Sequence, residues 1–279
     1  MKNNIPDCKQ LCLNNSRLSY GMVFGVHKLL FSFFVITVLF SFSALAQVLP
    51  LQGTFTQNGP TTCAPTALGV LADTTDITPL PARAISARII SACNATINTG
   101  ISLTEGVWGL IRGVLNRTGG TTPGSNITIT INSRSSAITN TINLTNGSSV
   151  TLIFTGSVMN ASILNTTLGG ASSSGGHGAS TSAGGGKPAA GCGGTCGGRP
   201  VVVGYKEKGP DIGHAVDIVG INFNEPSNHH FGPWGTHPAY AVVYWDPRDN
   251  RHHTGWLSSD GEYFDDGMNS GKTTEYVSM

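Results

Sequence analysis

The strongest constraint on how this chain folds is a long, almost uncharged stretch in its middle. Between Gly119 and Gly186 the only ionised side chain is that of Arg134. Charged residues make up 11% of the whole chain, whereas they make up about a quarter of a typical soluble domain. Because the deficit is local, we expect the compact, charged part of the protein to lie on either side of this stretch.

The uncharged stretch divides into two parts with different predicted structures. Three segments alternate polar and apolar residues, as β-strands do: residues 126–132, 137–144 and 149–155. Asn146-Gly147 is a turn signal between the last two. The second part has 13 glycines among its 30 residues, too little apolar surface to offset the entropy of ordering. We interpret residues 118–168 as a β-rich insertion and residues 169–198 as a flexible Gly/Ser-rich tract.

The N-terminal segment carries an apolar run, residues 29–46, that is typical of a secretory signal peptide. Lys28 supplies the basic flank, and Ala44-Leu45-Ala46 form a small-x-small cleavage site. The alternative is a permanent membrane anchor, because the run is nearly long enough to cross a bilayer. We predict a signal peptide at residues 1–46 and a secreted or periplasmic protein, membrane-anchored if the segment is not cleaved. No other segment is apolar enough to predict a membrane span in the mature chain.

The segments that flank the uncharged stretch predict an α+β fold. Residues 47–117 have apolar residues at helical spacing, and helices are predicted at residues 63–72, 83–93 and 103–115. Pro65 suits the first turn of the first helix, and Thr104 or Ser102 would cap the third. Strands rich in β-branched and aromatic residues are predicted within residues 199–279, at residues 200–205, 215–221 and 240–245. Helices followed by strands are typical of an α+β domain.

The overall charge excludes some classes of partner. The formal net charge is +1 at neutral pH, so the chain has no strong field that would attract nucleic acid or an acidic partner. We therefore expect no nucleic-acid partner.

Four residues in the flanking segments have the order that a cysteine nucleophile requires. Cys63 opens a predicted helix, where backbone N–H groups and the helix dipole favour the thiolate. Gln57, six residues upstream, places an amide beside the thiol as a donor to an oxyanion. His214 begins one predicted strand and Asp246 ends another, which supplies an imidazole base and a group to orient it.

These motifs resemble those of the papain-like cysteine peptidases, closest to the branch of the bacteriocin-leader (double-glycine) peptidases. The matching residues are Gln57, Cys63-Ala64-Pro65-Thr66, Gly213-His214-Ala215-Val216-Asp217-Ile218-Val219-Gly220 and Asp246-Pro247. Residues 198–203 and Gly100-Ile101-Ser102 also resemble segments of that branch. The chain departs from the family at Ala64, where the family has Gly, and in residues 118–197, which the family does not need.

The resemblance implies a papain-like fold in which N-terminal helices carry the Cys and an antiparallel sheet carries the His and Asp. It implies that Cys63 attacks a peptide carbonyl, that His214 acts as the base and that Asp246 orients the imidazole. Gln57 and the Cys63 backbone N–H would bind the oxyanion. The substrate would be a peptide or protein, and no cofactor is expected.

Alternatives remain for two of these roles and for the function. Asn58 competes with Gln57, with less favourable spacing. Asp217 competes with Asp246, but in a strand it points away from the face that carries His214. An acyltransferase or amidase would use the same scaffold and the same acyl-enzyme. A non-catalytic secreted binding module would hold Cys63 in a disulfide.

The remaining cysteines and histidines predict no metal site. Residues 47–279 contain four cysteines, Cys63, Cys93, Cys192 and Cys196, and in a secreted chain two disulfides are the simplest reading, for example Cys63–Cys93 with Cys192–Cys196. Cys192 and Cys196 with His177 make a poor metal site, because a flexible tract preorganises nothing. Five other histidines are predicted to be solvated loop residues: His229, His230, His237, His252 and His253.

Overall fold

The computed structural model describes most of the chain that follows the apolar N-terminal run. The described residues are 48–94, 100–119, 122–170, 198–207, 213–224 and 226–279. The predicted signal peptide at residues 1–46 and most of the predicted flexible tract, residues 171–197, lie outside them, as do Cys192, Cys196 and His177. None of the helices in the described residues has the length and apolar character that crossing a membrane requires.

The three predicted N-terminal helices are confirmed. They are α1, Cys63–Thr74, α2, Ala82–Ala92, and α3, Leu103–Leu110. The last continues through a π-helical segment, Ile111–Leu115, into the short α4, Asn116–Thr118. Ser102 caps α3 through a reciprocal capping box with Glu105, an arrangement that satisfies two of the free N–H groups at a helix start.

The rest of the described chain is mainly β-structure. Its elements in chain order are β1 (Asn126–Ser133), β2 (Ile138–Asn143), β3 (Ser149–Phe154), α5 (Ala161–Thr167), β4 (Val201–Glu207), β5 (Gly213–Ile221), β6 (Ser227–His230), β7 (Thr236–Asp246), β8 (Arg251–Ser258), β9 (Tyr263–Asp265) and β10 (Ser270–Ser278). The six strands predicted from alternation and β-propensity are confirmed as β1–β5 and β7. A 3-10 turn, Gly232–Trp234, separates β6 from β7.

The strands form one sheet that partly closes on itself. The order is β2-β3-β1-β10-β4-β5-β7-β8-β9, with β6 beside β7. The first half of β10 also pairs with β9, so that β4, β5, β7, β8, β9 and β10 form a closed ring of antiparallel strands. The other three strands, β1, β3 and β2, extend the sheet beyond this ring. β1 pairs with the second half of β10, and β3 pairs with β1 in parallel.

Two large hydrophobic cores and one small cluster result from this arrangement, the small one joining Phe55, Val70, Ala82 and Trp245. The interior of the ring is filled by alternate side chains of its strands, including Tyr205, Tyr244 and Phe264, and α5 packs against the same cluster through Leu164. The second core lies between the helices and the outer face of the sheet. It joins Leu68 of α1 and residues of α2 and α3 to side chains of β1, β3, β4, β5 and β10.

The segment interpreted as an insertion is an integral part of the sheet and of the second core. Ile131 of β1 lies opposite Val277 of β10. Ile127, Ile129 and Ile131 pack in the same cluster as Cys63. The described residues belong to one compact unit, Ala46–Met279. β1–β3 therefore contribute apolar area to the core that supports α1.

Five elements and the setting of five histidines were not predicted from the sequence. α5, β6, β8, β9 and β10 lie in segments rich in polar residues, in which pairing with neighbouring strands or packing on the ring decides the structure. The histidines predicted to lie in loops are on strands: His229 and His230 on β6, His237 on β7, and His252 and His253 on β8. The loop prediction was wrong because the histidines and their polar neighbours interrupt the β-branched and aromatic runs from which strands are predicted.

Gly69 sets how closely α1 approaches α2. A Cβ at this position would lie 2.7 Å from the carbonyl oxygen of Ala82 and 3.2 Å from the backbone nitrogen of Ser86. Because backbone atoms cannot rotate away, Gly69→Ala is expected to lower the free energy of unfolding by about 1–3 kcal/mol. Urea denaturation measures this. Gly100→Ala is the matched control, since only Thr61 lies near, at 3.9 Å, and equal losses in both variants would contradict the packing argument.

Candidate active site

Cys63 is the first residue of α1, and the local sequence leaves backbone donors beside its thiol. The hydroxyl of Thr62, the N-cap residue, donates to the carbonyl of Gly59 at 3.0 Å instead of capping the helix. Pro65 has no N–H, and the N–H of Thr66 donates to the Thr62 carbonyl at 3.1 Å. The N–H groups of Cys63 and Ala64 are the donors that remain in the first turn. This end of α1 therefore favours negative charge on the sulfur.

His214 and Asp246 are brought together by the antiparallel pairing of β5 and β7. Asp217 lies opposite Trp245 in this pairing, so the start of β5 meets the end of β7. His214 Nε2 lies 3.0 Å from Asp246 Oδ1, and both side chains are buried. Asp246 Oδ1 also accepts the backbone N–H of Arg248 at 2.7 Å. The turn that follows β7 thus fixes the orientation of the Asp246 carboxylate, and the carboxylate fixes the orientation of the imidazole.

The thiol of Cys63 interacts with the same imidazole. Because Nε2 is engaged with Asp246, Nδ1 is the nitrogen that remains for the sulfur. Burial raises the pKa of Cys63, but the hydrogen bond and the charge of His214, with the N–H groups of Ala215 and Ala64, outweigh it and bring the pKa below the usual thiol value. Cys63, His214 and Asp246 therefore form an electrostatically coupled set of a thiol, an imidazole and a carboxyl group.

The same contacts shift the pKa values of His214 and Asp246. Burial alone would lower the pKa of His214, yet its hydrogen bonds to Asp246 and Cys63 raise the pKa above the usual value. Burial likewise opposes ionisation of Asp246, but His214 and the Arg248 N–H hold its pKa below the usual value. These directions favour a thiolate–imidazolium pair supported by a carboxylate.

Tyr205 holds the imidazole from the other side and was not predicted as a site residue. It lies opposite His214 in the β4–β5 pairing, and the two rings meet edge to face with centroids 5.7 Å apart. The Tyr205 hydroxyl donates to Asp266 Oδ2 at 2.7 Å. Asp266 is itself buried, 4% exposed, and lies 3.8 Å from Arg248 Nη1. The only sequence signal for Tyr205 is its place in a predicted strand.

Gln57 lies near the end of β7, on the segment that leads into α1. Its backbone N–H donates to the Pro247 carbonyl at 2.8 Å, which ties this segment to the turn after Asp246. One hydrogen of its side-chain amide goes to the Gly59 carbonyl, at 2.7 Å. A second amide hydrogen remains as a donor. Asn58, the alternative, is exposed.

The site opens into a cleft of about 380 Å³. Its lining includes Cys63 and His214, which are otherwise buried, and three glycines, Gly100, Gly204 and Gly213. At Gly204 a Cβ would lie 3.1 Å from Thr274 Oγ1 and 3.2 Å from Leu103 Cδ1. Because glycine has no side chain, these three positions leave the cleft wider than other residues would.

Asp217, the competitor of Asp246, lies away from His214. It is opposite Val202 on β4, whose side chain belongs to the core under the helices. Neither of its carboxylate oxygens has a hydrogen-bond partner among the described residues. Burial raises the pKa of Asp217 well above its usual range. Burial therefore favours the neutral form of Asp217, which lies in the core and does not orient the imidazole.

Cys63 and Cys93 are free thiols, so the alternative disulfide between them is absent from the described part of the chain. Cys93 Sγ lies 3.3 Å from the Glu105 carbonyl.

Among the described residues, no group of three or more His, Cys, Asp or Glu side chains is arranged to hold a metal ion. Comparison of the chain with models of protein families, with curated proteins and with solved structures gave no match.

The two free thiols are expected to differ sharply in their pH dependence of alkylation. Burial and the charge of Glu105 raise the pKa of Cys93, whereas the pKa of Cys63 is lowered. Because only the thiolate reacts, iodoacetamide should modify Cys63 at a pH below the usual thiol pKa of about 8.5, and Cys93 only above it. Peptide mapping by mass spectrometry separates the two sites. Superimposable pH curves would contradict the site electrostatics.

Proposed function

We propose that this protein is a secreted cysteine peptidase of papain-like fold, which hydrolyses peptide bonds through an acyl-enzyme. The observation that carries the proposal is the position of the His214 ring, hydrogen-bonded to Asp246 at 3.0 Å and lining the same cleft as Cys63. Nucleophile, base and orienting group in contact at the floor of a cleft are the elements of covalent acyl transfer.

In the first half of the reaction, the Cys63 thiolate attacks the carbonyl carbon of the substrate. A carbon–sulfur bond forms and the carbonyl π electrons move to oxygen. Gln57 and the Cys63 backbone N–H donate hydrogen bonds to that oxyanion. When the carbonyl re-forms, the carbon–nitrogen bond breaks and His214 gives its proton to the departing amine. A thioester of Cys63 and a neutral imidazole remain.

In the second half, water releases the acyl group. Neutral His214 takes a proton from the water, whose oxygen attacks the thioester carbon. Collapse of this second tetrahedral intermediate breaks the carbon–sulfur bond and restores the thiolate–imidazolium pair. Asp246 keeps Nε2 engaged throughout, so Nδ1 performs both proton transfers. Tyr205, at the edge of the ring, limits rotation of the imidazole away from this orientation.

The architecture supports the papain-like part of the proposal. The nucleophile begins a helix in the N-terminal helical part, while His214 and Asp246 lie on adjacent antiparallel strands of the ring. This arrangement is what the resemblance of the sequence motifs implies. Secretion rests on the apolar segment at residues 29–46, and N-terminal sequencing of the exported protein tests it through the expected start at Gln47.

The decisive experiment is to incubate residues 47–279 with a mixed peptide library under reducing conditions. Mass spectrometry should find two fragments for each peptide consumed, and alkylation of Cys63 should stop the reaction. Added small amines distinguish the related chemistries: a peptidase gives mainly free carboxylates, whereas an acyltransferase gives amide adducts. A library that stays intact while Cys63 remains reactive would refute the peptidase proposal.

A further inference from the structure

A second cleft continues from the one that contains Cys63. The two clefts share Ser102 and Thr274 in their linings, and the second has a volume of about 580 Å³. β1, β3 and the turn after β1 supply half of its lining residues, including Arg134, Ser135 and Phe154. The uncharged segment at residues 118–168 therefore builds one wall of a groove that begins at the nucleophile.

The junction between the two clefts is shaped by a β-bulge. In the pairing of β10 with β4, Thr273 lies opposite Tyr205 and Glu275 lies opposite Gly204, so that Thr274 is the extra residue. Bulges redirect a side chain and are common beside active sites. The Thr274 hydroxyl donates to the Gly204 carbonyl at 3.1 Å. The bulge thus places Thr274 between the clefts, and Gly204 leaves space beside it.

The charges of the second cleft already have partners. Arg134 donates to the Thr273 carbonyl at 2.9 Å and forms an ion pair with Glu262. Glu275 accepts the N–H of Thr104 at 2.9 Å and its hydroxyl at 2.5 Å. A charged ligand would have to displace these contacts. The hydroxyl groups of the lining also have partners: Ser102 donates to Glu105, Thr274 donates to the Gly204 carbonyl, and Ser133 and Ser135 pair with each other. A hydroxyl oxygen has two lone pairs and can still accept an N–H from a ligand without losing these bonds. The lining adds the half-buried ring of Phe154.

We propose that this groove binds an extended, uncharged stretch of the polypeptide substrate, several residues away from the bond that Cys63 attacks. The inference rests on the proposed peptidase function and names the class of substrate it favours. Backbone amides would pair with the serine and threonine hydroxyls, and an apolar side chain would cover Phe154. Contacts remote from the reacting bond raise kcat/KM when they are also present in the transition state.

The test is the dependence of hydrolysis on peptide length in two matched variants. Ser135→Trp places a bulky ring in the second cleft, while Ser136→Trp places the same ring on the next exposed position, outside the lining. Internally quenched peptides of about four and about ten uncharged residues reach roughly 13 and 33 Å when extended. One long peptide is extended on the N-terminal side of the scissile bond and another on the C-terminal side. Two long peptides that contain Lys or Glu serve as charged controls.

For the unmodified protein and for Ser136→Trp, kcat/KM is expected to rise roughly tenfold from the short to the long uncharged peptides, as about 1.4 kcal/mol of added contact would give. Ser135→Trp should lose that increase, and the charged long peptides should show little of it. If kcat/KM rises equally with peptide length in both variants, or does not depend on length, the groove proposal is wrong. Cleavage of the peptides would still support the peptidase proposal. No cleavage of any peptide overturns both.

Discussion

Replacement of Cys63 by Ala is expected to abolish peptide hydrolysis, with kcat/KM falling by a factor on the order of 10⁴ or more. The variant loses the sulfur that forms the carbon–sulfur bond in the proposed mechanism, whereas His214 and Asp246 keep their contact on β5 and β7. The side chain of Cys63 is only 6% exposed, and Ala is small enough to leave the first turn of α1 intact. Progress curves with a quenched peptide measure the effect.

Cys93→Ala is the matched control for this experiment. Cys93 is the other free thiol in the described part of the chain, and it lies at the end of α2 rather than in the cleft. We expect its replacement to leave hydrolysis unchanged. Thermal unfolding of both variants verifies that the fold persists. Hydrolysis by Cys63→Ala at the unmodified rate would mean that another group is the nucleophile.

Replacement of Asp217 by Leu is expected to stabilise the protein. The carboxyl group is 0% exposed, with both oxygens unpartnered among the described residues, and burying an unpaired polar group costs about 1–3 kcal/mol. Leu has the same branching at Cγ as Asp, with two methyl groups in place of the two oxygens, so it presents only apolar atoms to the core. Urea denaturation at pH 4.5 should show a higher free energy of unfolding by an amount in that range.

The gain from Asp217→Leu should increase with pH. Burial raises the pKa of Asp217 in the folded state, whereas in the unfolded chain an Asp has a pKa of about 3.9. The stabilising effect of the bound proton is complete below the unfolded pKa and is lost as the pH rises towards the folded pKa. The unmodified protein therefore loses stability above pH 4 from this group, and the Leu variant does not.

Asp217→Asn separates charge from polarity. Asn has the same shape and no ionisable group, so it should remove the pH-dependent loss while keeping an unpaired amide in the core. At pH 4.5 the free energy of unfolding of Asp217→Asn should be close to that of the unmodified protein. At pH 7.5 it should be higher than that of the unmodified protein. If Asp217→Leu unfolds at lower urea than the unmodified protein at both pH values, the carboxyl group stabilises the fold and the burial argument is wrong.

Much of the candidate site could be predicted because its determinants are local. A helix beginning at Cys63 follows from Pro65 in the first turn and from apolar residues at helical spacing. Strands at His214 and before Asp246 follow from β-branched and aromatic residues in short runs. Alternation within β5 also predicted that Asp217 faces away from His214, and the register confirms it.

The polar and uncharged segments were harder to interpret, because their structure depends on partners far along the chain. Residues 126–154 were predicted to form strands, but their role as a wall beside the cleft follows from the pairing of β1 with β10, about half the chain away. Tyr205 and Asp266 are 61 residues apart, and no local pattern connects them. The histidines of β6 and β8 lie in short stretches rich in polar residues, which weaken the strand signal.

The sequence by itself determined the candidate nucleophile, the helix that begins at it and the order of the residues that would serve it, because helix starts and strand periods are set by neighbouring residues. The tertiary structure decided which imidazole nitrogen meets Asp246, how the closed ring brings β4, β5 and β10 to the cleft that contains Cys63, and that the uncharged segment joins the sheet. These depend on strand register and on burial between distant segments, where packing and unpaired polar groups contribute free energy that local sequence does not encode.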